Sequence, residues 1–165
     1  MNRVTVDTAD NIFDVPPKQI KALGGFVRKI LAVLGRDKTD ISVLLCGDKT
    51  IAGLNLRYRK KDEATDILSF SREEGELFPN PARRYRHGGD IAISLETLKE
   101  NTRRFGISED EELRRLLIHG ILHIDGMNHK TNNNTEPMLR LQEKILSDLS
   151  GHRILTEAGL SLGSE

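Results

Sequence analysis

The chain contains no tryptophan, a single cysteine, two tyrosines and five phenylalanines. One thiol excludes any intrachain disulfide, so cohesion must come from an apolar core, and a reducing, cytoplasmic setting is expected. Cys46 closes the apolar run Ile41–Cys46 and reads as a buried core residue, not a nucleophile or a metal ligand. Excess charge is also missing: 25 Lys and Arg balance 25 Asp and Glu. Global charge therefore gives no argument for nucleic-acid binding, and any such argument rests on local patches. No apolar run is long enough to cross a membrane, and the start of the chain shows no signal-peptide pattern, so no membrane association is expected. Linkers, repeats and low-complexity stretches are absent as well. The 165 residues are therefore expected to form one domain over 1–150, followed by a short, loosely held tail over 151–165.

Periodicity supplies the elements. Val4-Thr5-Val6 alternates as a short strand. Pro16-Pro17 opens a helix whose apolar positions Ile20, Leu23, Val27, Ile30, Leu31 and Leu34 recur at helical spacing, with Gly35 beyond its end. Ile41–Cys46 reads as a buried strand, and Asp48 as the cap of a helix reaching about Tyr58. Ile67–Phe70 and Ile91–Ser94 read as further buried strands, joined by an irregular connection over 72–89. Ser94 caps a helix with Leu95, Leu98 and Phe105 on its apolar face. Ser108 and Glu111 form a capping box for the next helix, and the run Glu109–Glu112 complements its positive end. That helix is apolar around much of its circumference (Leu113, Leu116, Leu117, Ile121, Leu122) and should be central and buried. A last helix follows Thr135. Strand, helix, strand, helix, strand predicts an α/β fold: a mixed, mostly parallel sheet of about four strands, packed with helices around a central metal-bearing helix. The 72–89 connection allows one strand to reverse.

The chemistry concentrates in H-G-I-L-H-I-D-G-M-N-H, residues 119–129, which holds three of the five histidines. On a helix His119 and His123 share a face. Gly126 ends the helix and turns the chain, so His129 can return to the same point. Three imidazoles with a fourth position open are the ligand pattern of a catalytic zinc, one Zn2+ per chain. The competing reading is a purely structural cluster. A zinc ion so held activates water near neutral pH and polarises a scissile group, so hydrolysis is the default inference. The spacing equals that of H-E-x-x-H-x-x-G-x-x-H peptidases, but Gly120 stands where their general-base glutamate belongs. A glycine there also permits a substrate or another segment to approach the helix closely.

The same segment resembles the signature H-G-x-L-H-L-x-G-Y-D-H of the YbeY family, zinc-dependent endoribonucleases of bacterial ribosomal RNA maturation. Leu54-Asn55-x-x-Tyr58-Arg59 with Thr65-Asp66-Ile67-Leu68-Ser69-Phe70 is similar to the family's L-N-x-x-Y-R…T-D-V-L-S-F block. Gly89–Ser94 is similar to its G-D-I-x-I-S strand, and Met138–Leu146 to its final M-x-x-x-E-E-x-I-L helix. The resemblance covers about residues 41–149; before that only the layout agrees. Ile124, Met127 and Asn128 depart from the family's Leu, Tyr and Asp, and Gln142 stands where the family often has Glu. If that Asp orients a ligand, Asn128 offers a neutral acceptor and weakens the site, since such changes often cost about 10–100-fold in metal affinity.

The resemblance implies a single-strand-specific endoribonuclease acting on RNA, in maturation of the 3′ end of 16S ribosomal RNA and ribosome quality control, with the small ribosomal subunit as partner. It assigns His119, His123 and His129 as metal ligands and catalytic groups, and places Arg59 in the cleft near them as a catalytic and substrate-binding cation. By spacing alone Arg59 is better explained as a surface residue paired with Asp62 or Glu63; the resemblance reverses that reading. Arg57, Lys60 and Lys61 extend the local positive patch as substrate-binding candidates. Arg83-Arg84-Tyr85-Arg86-His87 is a second basic patch with one aromatic for base stacking, or simply a solvated loop. His87 reads as an exposed loop histidine and His152 as incidental. The alternatives are a ribosome-assembly RNA-binding factor with structural zinc, and a zinc hydrolase of peptides or small molecules.

Overall fold

The computed structural model describes residues 1–72 and 87–163. Its main sheet has four strands in the order β1-β3-β5-β4: β1 (Arg3–Thr8), β3 (Thr39–Cys46), β5 (His87–Ser94) and β4 (Ile67–Ser71). β1 and β3 pair in parallel, as do β3 and β5; β4 runs antiparallel to β5. This is the mixed, mostly parallel α/β sheet expected from the sequence. A small antiparallel pair joins β2 (Phe13–Asp14) to β6 (Ser161–Leu162), two strands too short to leave a periodic signal.

The helices are α1 (Pro17–Val33), α2 (Asp48–Arg59), α3 (Leu95–Phe105), α4 (Glu109–Ile124) and α5 (Pro137–Asp148). The period-two alternation of the strands divides the core between the two sheet faces. Ile41, Val43, Leu45, Ile91 and Ile93 face the large core that α1, α4 and α5 complete. Cys46, Leu68, Phe70 and Ala92 face the smaller core under α2. Helix α4 carries ten buried residues, among them Leu113, Leu116, Leu117, Ile118, Ile121 and Leu122, and it packs against α1, α3, α5, β4 and β5. Cys46 is buried, and desolvation pushes its thiol up to about 12, consistent with an inert core residue.

Several local expectations are corrected. Gly47, not Asp48, is the α2 cap residue. The first N–H groups are met instead by distant carboxylates, Asp10 for Gly47 N–H and Glu96 for Asp48 N–H, both at 2.9 Å. Asp48 accepts from the Ser94 hydroxyl at 2.6 Å and from the Thr97 hydroxyl. Helix α5 does follow Thr135 as expected, starting at Pro137 with Glu136 as its cap. Phe105 is exposed, not core. β4 is a sheet edge with alternating burial, not a fully buried strand. The segment after Gly151 is not loose through residue 160: Ile154, Leu155 and Leu160 are buried in the large core. They are held by the acidic run at the start of α4, which does more than complement the helix end. Asp110 accepts from the N–H groups of Ile154 and Leu155 at 2.7 and 2.8 Å, and Glu109 accepts from Leu160 N–H. The Ser108–Glu111 cap is half of the expected box: Ser108 Oγ accepts from Glu111 N–H at 3.0 Å, while the Glu111 carboxylate receives Arg115.

Candidate metal centre

His119 and His123 lie one turn apart on α4, with ring centroids 4.6 Å apart. Past Ile124 the helix closes through Gly126 N–H to His123 O and Met127 N–H to Leu122 O, both 3.0 Å. Gly126 takes φ +99°, a conformation that suits glycine. Arg36 grips Asp125 with two hydrogen bonds, 2.6 and 3.0 Å, and braces this turn against the end of α1. The chain then returns, and the His129 ring lies 5.3 Å from His119 and 5.5 Å from His123. The ligand nitrogens of all three fall within 4.8 Å of one another. All three rings are half-buried.

Each outer nitrogen has an oxygen partner. His119 Nδ1 lies 2.7 Å from Gln142 Oε1, His123 Nδ1 3.0 Å from Met127 O, and His129 Nδ1 2.9 Å from Thr131 O. Carbonyl oxygens only accept, so each Nδ1 carries the proton and donates it outward, and each Nε2 lone pair is left for the shared centre. His119 Nε2 and His123 Nε2 stand 3.1 Å apart. Two lone pairs at that distance repel unless a cation lies between them. A tetrahedral zinc with bonds near 2.1 Å would hold its nitrogens roughly 3.4 Å apart. The donor set thus fits a metal ion on the chemistry and spacing of its nitrogens. Burial lowers the pKa of His119 below 6.5 against the opposing Gln142 hydrogen bond, and burial followed by the His119 charge lowers that of His123. Both effects keep the rings neutral and able to bind metal.

The histidines sit between two cavities. One, about 490 Å³, is bordered by His123, Asn128, Ser69 and Arg59. Arg59 leaves the end of α2, on the opposite face of the sheet from α4, and reaches the free edge of β4. Its guanidinium lies 4.1 Å from the centroid of the Phe70 ring and donates to Ser69 O at 3.1 Å. An outward-facing edge carbonyl is satisfied and the cation is fixed beside the histidines in one contact. Arg57 and Lys60 do not border this cavity. Arg57 is exposed beside Tyr58, and Lys60 ends α2 at φ +60° with Nζ 3.4 Å from Arg57 O. Lys61 is exposed as well. The second cavity, about 420 Å³, opens beside His119 and His129.

Gly120 serves packing, not substrate approach: a Cβ there would come within 3.0 Å of Ile67 and Ile91 methyls, so the glycine lets α4 lie close on the sheet. Asn128 is exposed and borders the same cavity as His123, a neutral side chain beside the site. Gln142 is the missed participant. Its departure from a family glutamate was visible, but its contact with His119 was not, and backbone acceptors such as Thr131 O leave no mark in a sequence. His87 is exposed at the start of β5, and His152 is exposed after α5. Neither joins the one triad of metal-capable side chains among the described residues. Arg83–Arg86 lie outside the described residues. No described helix is long and apolar enough to cross a membrane.

A family model described as endoribonuclease YbeY matches residues 8–150. An endoribonuclease YbeY of Treponema pallidum is 43% identical over 132 residues, 80% of this chain and 82% of its own length. The endoribonuclease YbeY of Persephonella marina is 36% identical over 153 residues, 92% and 95% of the two chains. A solution structure of a Thermotoga maritima protein shares the fold, with a TM-score of 0.60 and 24% identity over 90% of this chain and 89% of that one. The match extends upstream of residue 41, where the motifs alone had stopped, and the chain belongs to the endoribonuclease YbeY family.

Proposed function

We propose that the chain is a zinc-dependent endoribonuclease that hydrolyses phosphodiester bonds in single-stranded RNA. Family membership supports the nuclease activity. The observation that carries the metal dependence is the set of three Nε2 lone pairs turned toward one point by three outward Nδ1 hydrogen bonds. A structural zinc would be closed off; here cavities open on both flanks of the histidines, so an approaching strand can reach the centre. Bound zinc would supply Lewis acidity and an activated water.

The rest is the work of the protein's own groups. His119, His123 and His129 hold the ion. Gln142, Met127 O and Thr131 O fix ring orientation. Arg59, pinned over Phe70, meets the negative charge of the phosphate and stabilises its growth as the bond breaks. Arg57 and Lys60 meet neighbouring phosphates along the exposed end of α2. Unstacked RNA fits such a site better than a duplex, because the histidines are half-buried beneath the edge of β4. A peptidase reading lacks its general base: the residue there is Gly120, which faces the sheet, where a Cβ would already press within 3.0 Å of Ile67 and Ile91 methyls. The biological substrate we infer is precursor ribosomal RNA, at the 3′ end of 16S RNA, on the small ribosomal subunit in the cytoplasm.

The test is cleavage of a single-stranded RNA by purified variants whose metal content is measured in parallel. His123→Ala is expected to lose both zinc and cleavage. Arg59→Ala is expected to retain zinc and lose about 10²–10³ in kcat, the scale of removing one group that stabilises developing charge. Full cleavage by both variants would reject the assignment.

A further inference from the structure

Holding a metal and meeting a phosphate leave the second cavity unexplained. It adjoins His119 and His129 on the flank away from Arg59, and Ile67 borders both cavities. A strand laid over the metal with a phosphate toward Arg59 therefore brings the neighbouring nucleoside to this opening. Three carboxylates, Asp66, Glu112 and Glu143, line it against one guanidinium, Arg115. That guanidinium is already engaged by Glu143 at 3.0 Å, Glu111 at 3.3 Å and Glu112 at 3.6 Å. The excess negative charge turns phosphate away and admits an uncharged group rich in N–H donors. Leu116 and Leu139 add apolar wall suited to a flat ring. The Glu112 side chain is only 10% exposed, so a hydrogen bond to it gains strength from exclusion of water.

Resting on the endoribonuclease reading, we propose that this cavity is a nucleobase subsite selecting guanine beside the scissile phosphate, with Glu112 accepting from the base. Guanine presents two adjacent donors, N1–H and N2–H, on its Watson–Crick edge, and a carboxylate matches both. Uracil offers one donor flanked by two carbonyls that the carboxylates repel. Single-stranded RNA exposes these edges for such reading.

The test uses short uridine oligonucleotides carrying one guanosine, adenosine or cytidine at successive positions. Cleavage is expected at the bond adjoining guanosine, with kcat/KM about tenfold above the all-uridine strand, the scale of one bidentate base contact. Glu112→Gln removes the charge and replaces one of the two acceptor oxygens by an N–H donor, so it is expected to bring that ratio toward one. Leu139→Trp fills the cavity from a different side and is expected to do the same, so the test survives if either variant folds poorly. Zinc content is expected to match the wild type in both. Apart from turnover, guanosine monophosphate is expected to bind more tightly than uridine monophosphate by calorimetry, a difference both variants erase. Equal cleavage of all strands, or a guanosine preference that persists in both variants, overturns the subsite and leaves the endoribonuclease reading standing. Failure to cleave any strand overturns both.

Discussion

His119, His123 and His129 converge because one residue, Gly126, turns the chain sharply enough for the third ring to return. At φ +99° a side chain meets the steric cost that L-residues pay in this region, about 1–2 kcal/mol. Gly126→Ala is therefore expected to lower stability by about that amount and to move His129. The resulting loss of zinc affinity is expected to be about tenfold or more, measured by competition with a chromophoric chelator. Unchanged affinity would mean that the turn does not set the position of His129. At this scale the sequence was most informative. The i, i+4 pair and the glycine were legible because they follow from helical geometry. The outward partners of the rings were not: two are backbone carbonyls, and Gln142 reaches His119 from a separate helix. Arg59 was legible only through family resemblance, since nothing in its spacing says that it reaches the free edge of β4 and the cavity beside His123.

Among the elements, α4 is fixed at both ends by contacts far apart in sequence. Its C-terminal turn is braced by Arg36, and its N-terminal turn by the Asp110 network. Asp110 is buried, pairs with Arg114 at 2.9 Å, and accepts two backbone N–H groups from the chain after α5. Asp110→Ala would strand a buried guanidinium and two donors, with an expected loss of about 3–5 kcal/mol. Chemical denaturation checks this, and a loss below about 1 kcal/mol, the scale of an exposed pair, would contradict it. The sequence missed this element because Ile154, Leu155 and Leu160 are too few and too irregular to show a period. An acidic run at a helix start already has a sufficient explanation in the helix dipole. The α2 cap was misread for a related reason: Asp10 and Glu96 cap it from 37 and 48 residues away.

For the whole molecule, the sheet was legible because alternating strands and helices leave few right-handed ways to pair in parallel. The reversal of β4 was allowed for but not derivable, since its connection to β5 carries no periodicity. The half-buried histidines also tie stability to pH. In the metal-free protein the pKa values of His119 and His123 lie below their unfolded value of 6.5. Between the two values the unfolded chain binds more protons, so stability rises with pH and falls as pH drops below about 6.5. The Tm of metal-free protein is expected to fall over that range, and the fall is expected to lessen in a His119→Gln, His123→Gln double variant. An identical pH dependence in the two proteins would contradict it.

The most direct measurement is zinc titration of metal-stripped protein with cleavage of single-stranded RNA followed at each addition. Cleavage is expected to rise linearly and stop rising at one zinc per chain, because three imidazoles, from one helix and its returning turn, are proposed to hold a single catalytic ion. Full cleavage before zinc is added, or none after one equivalent is bound, would contradict it.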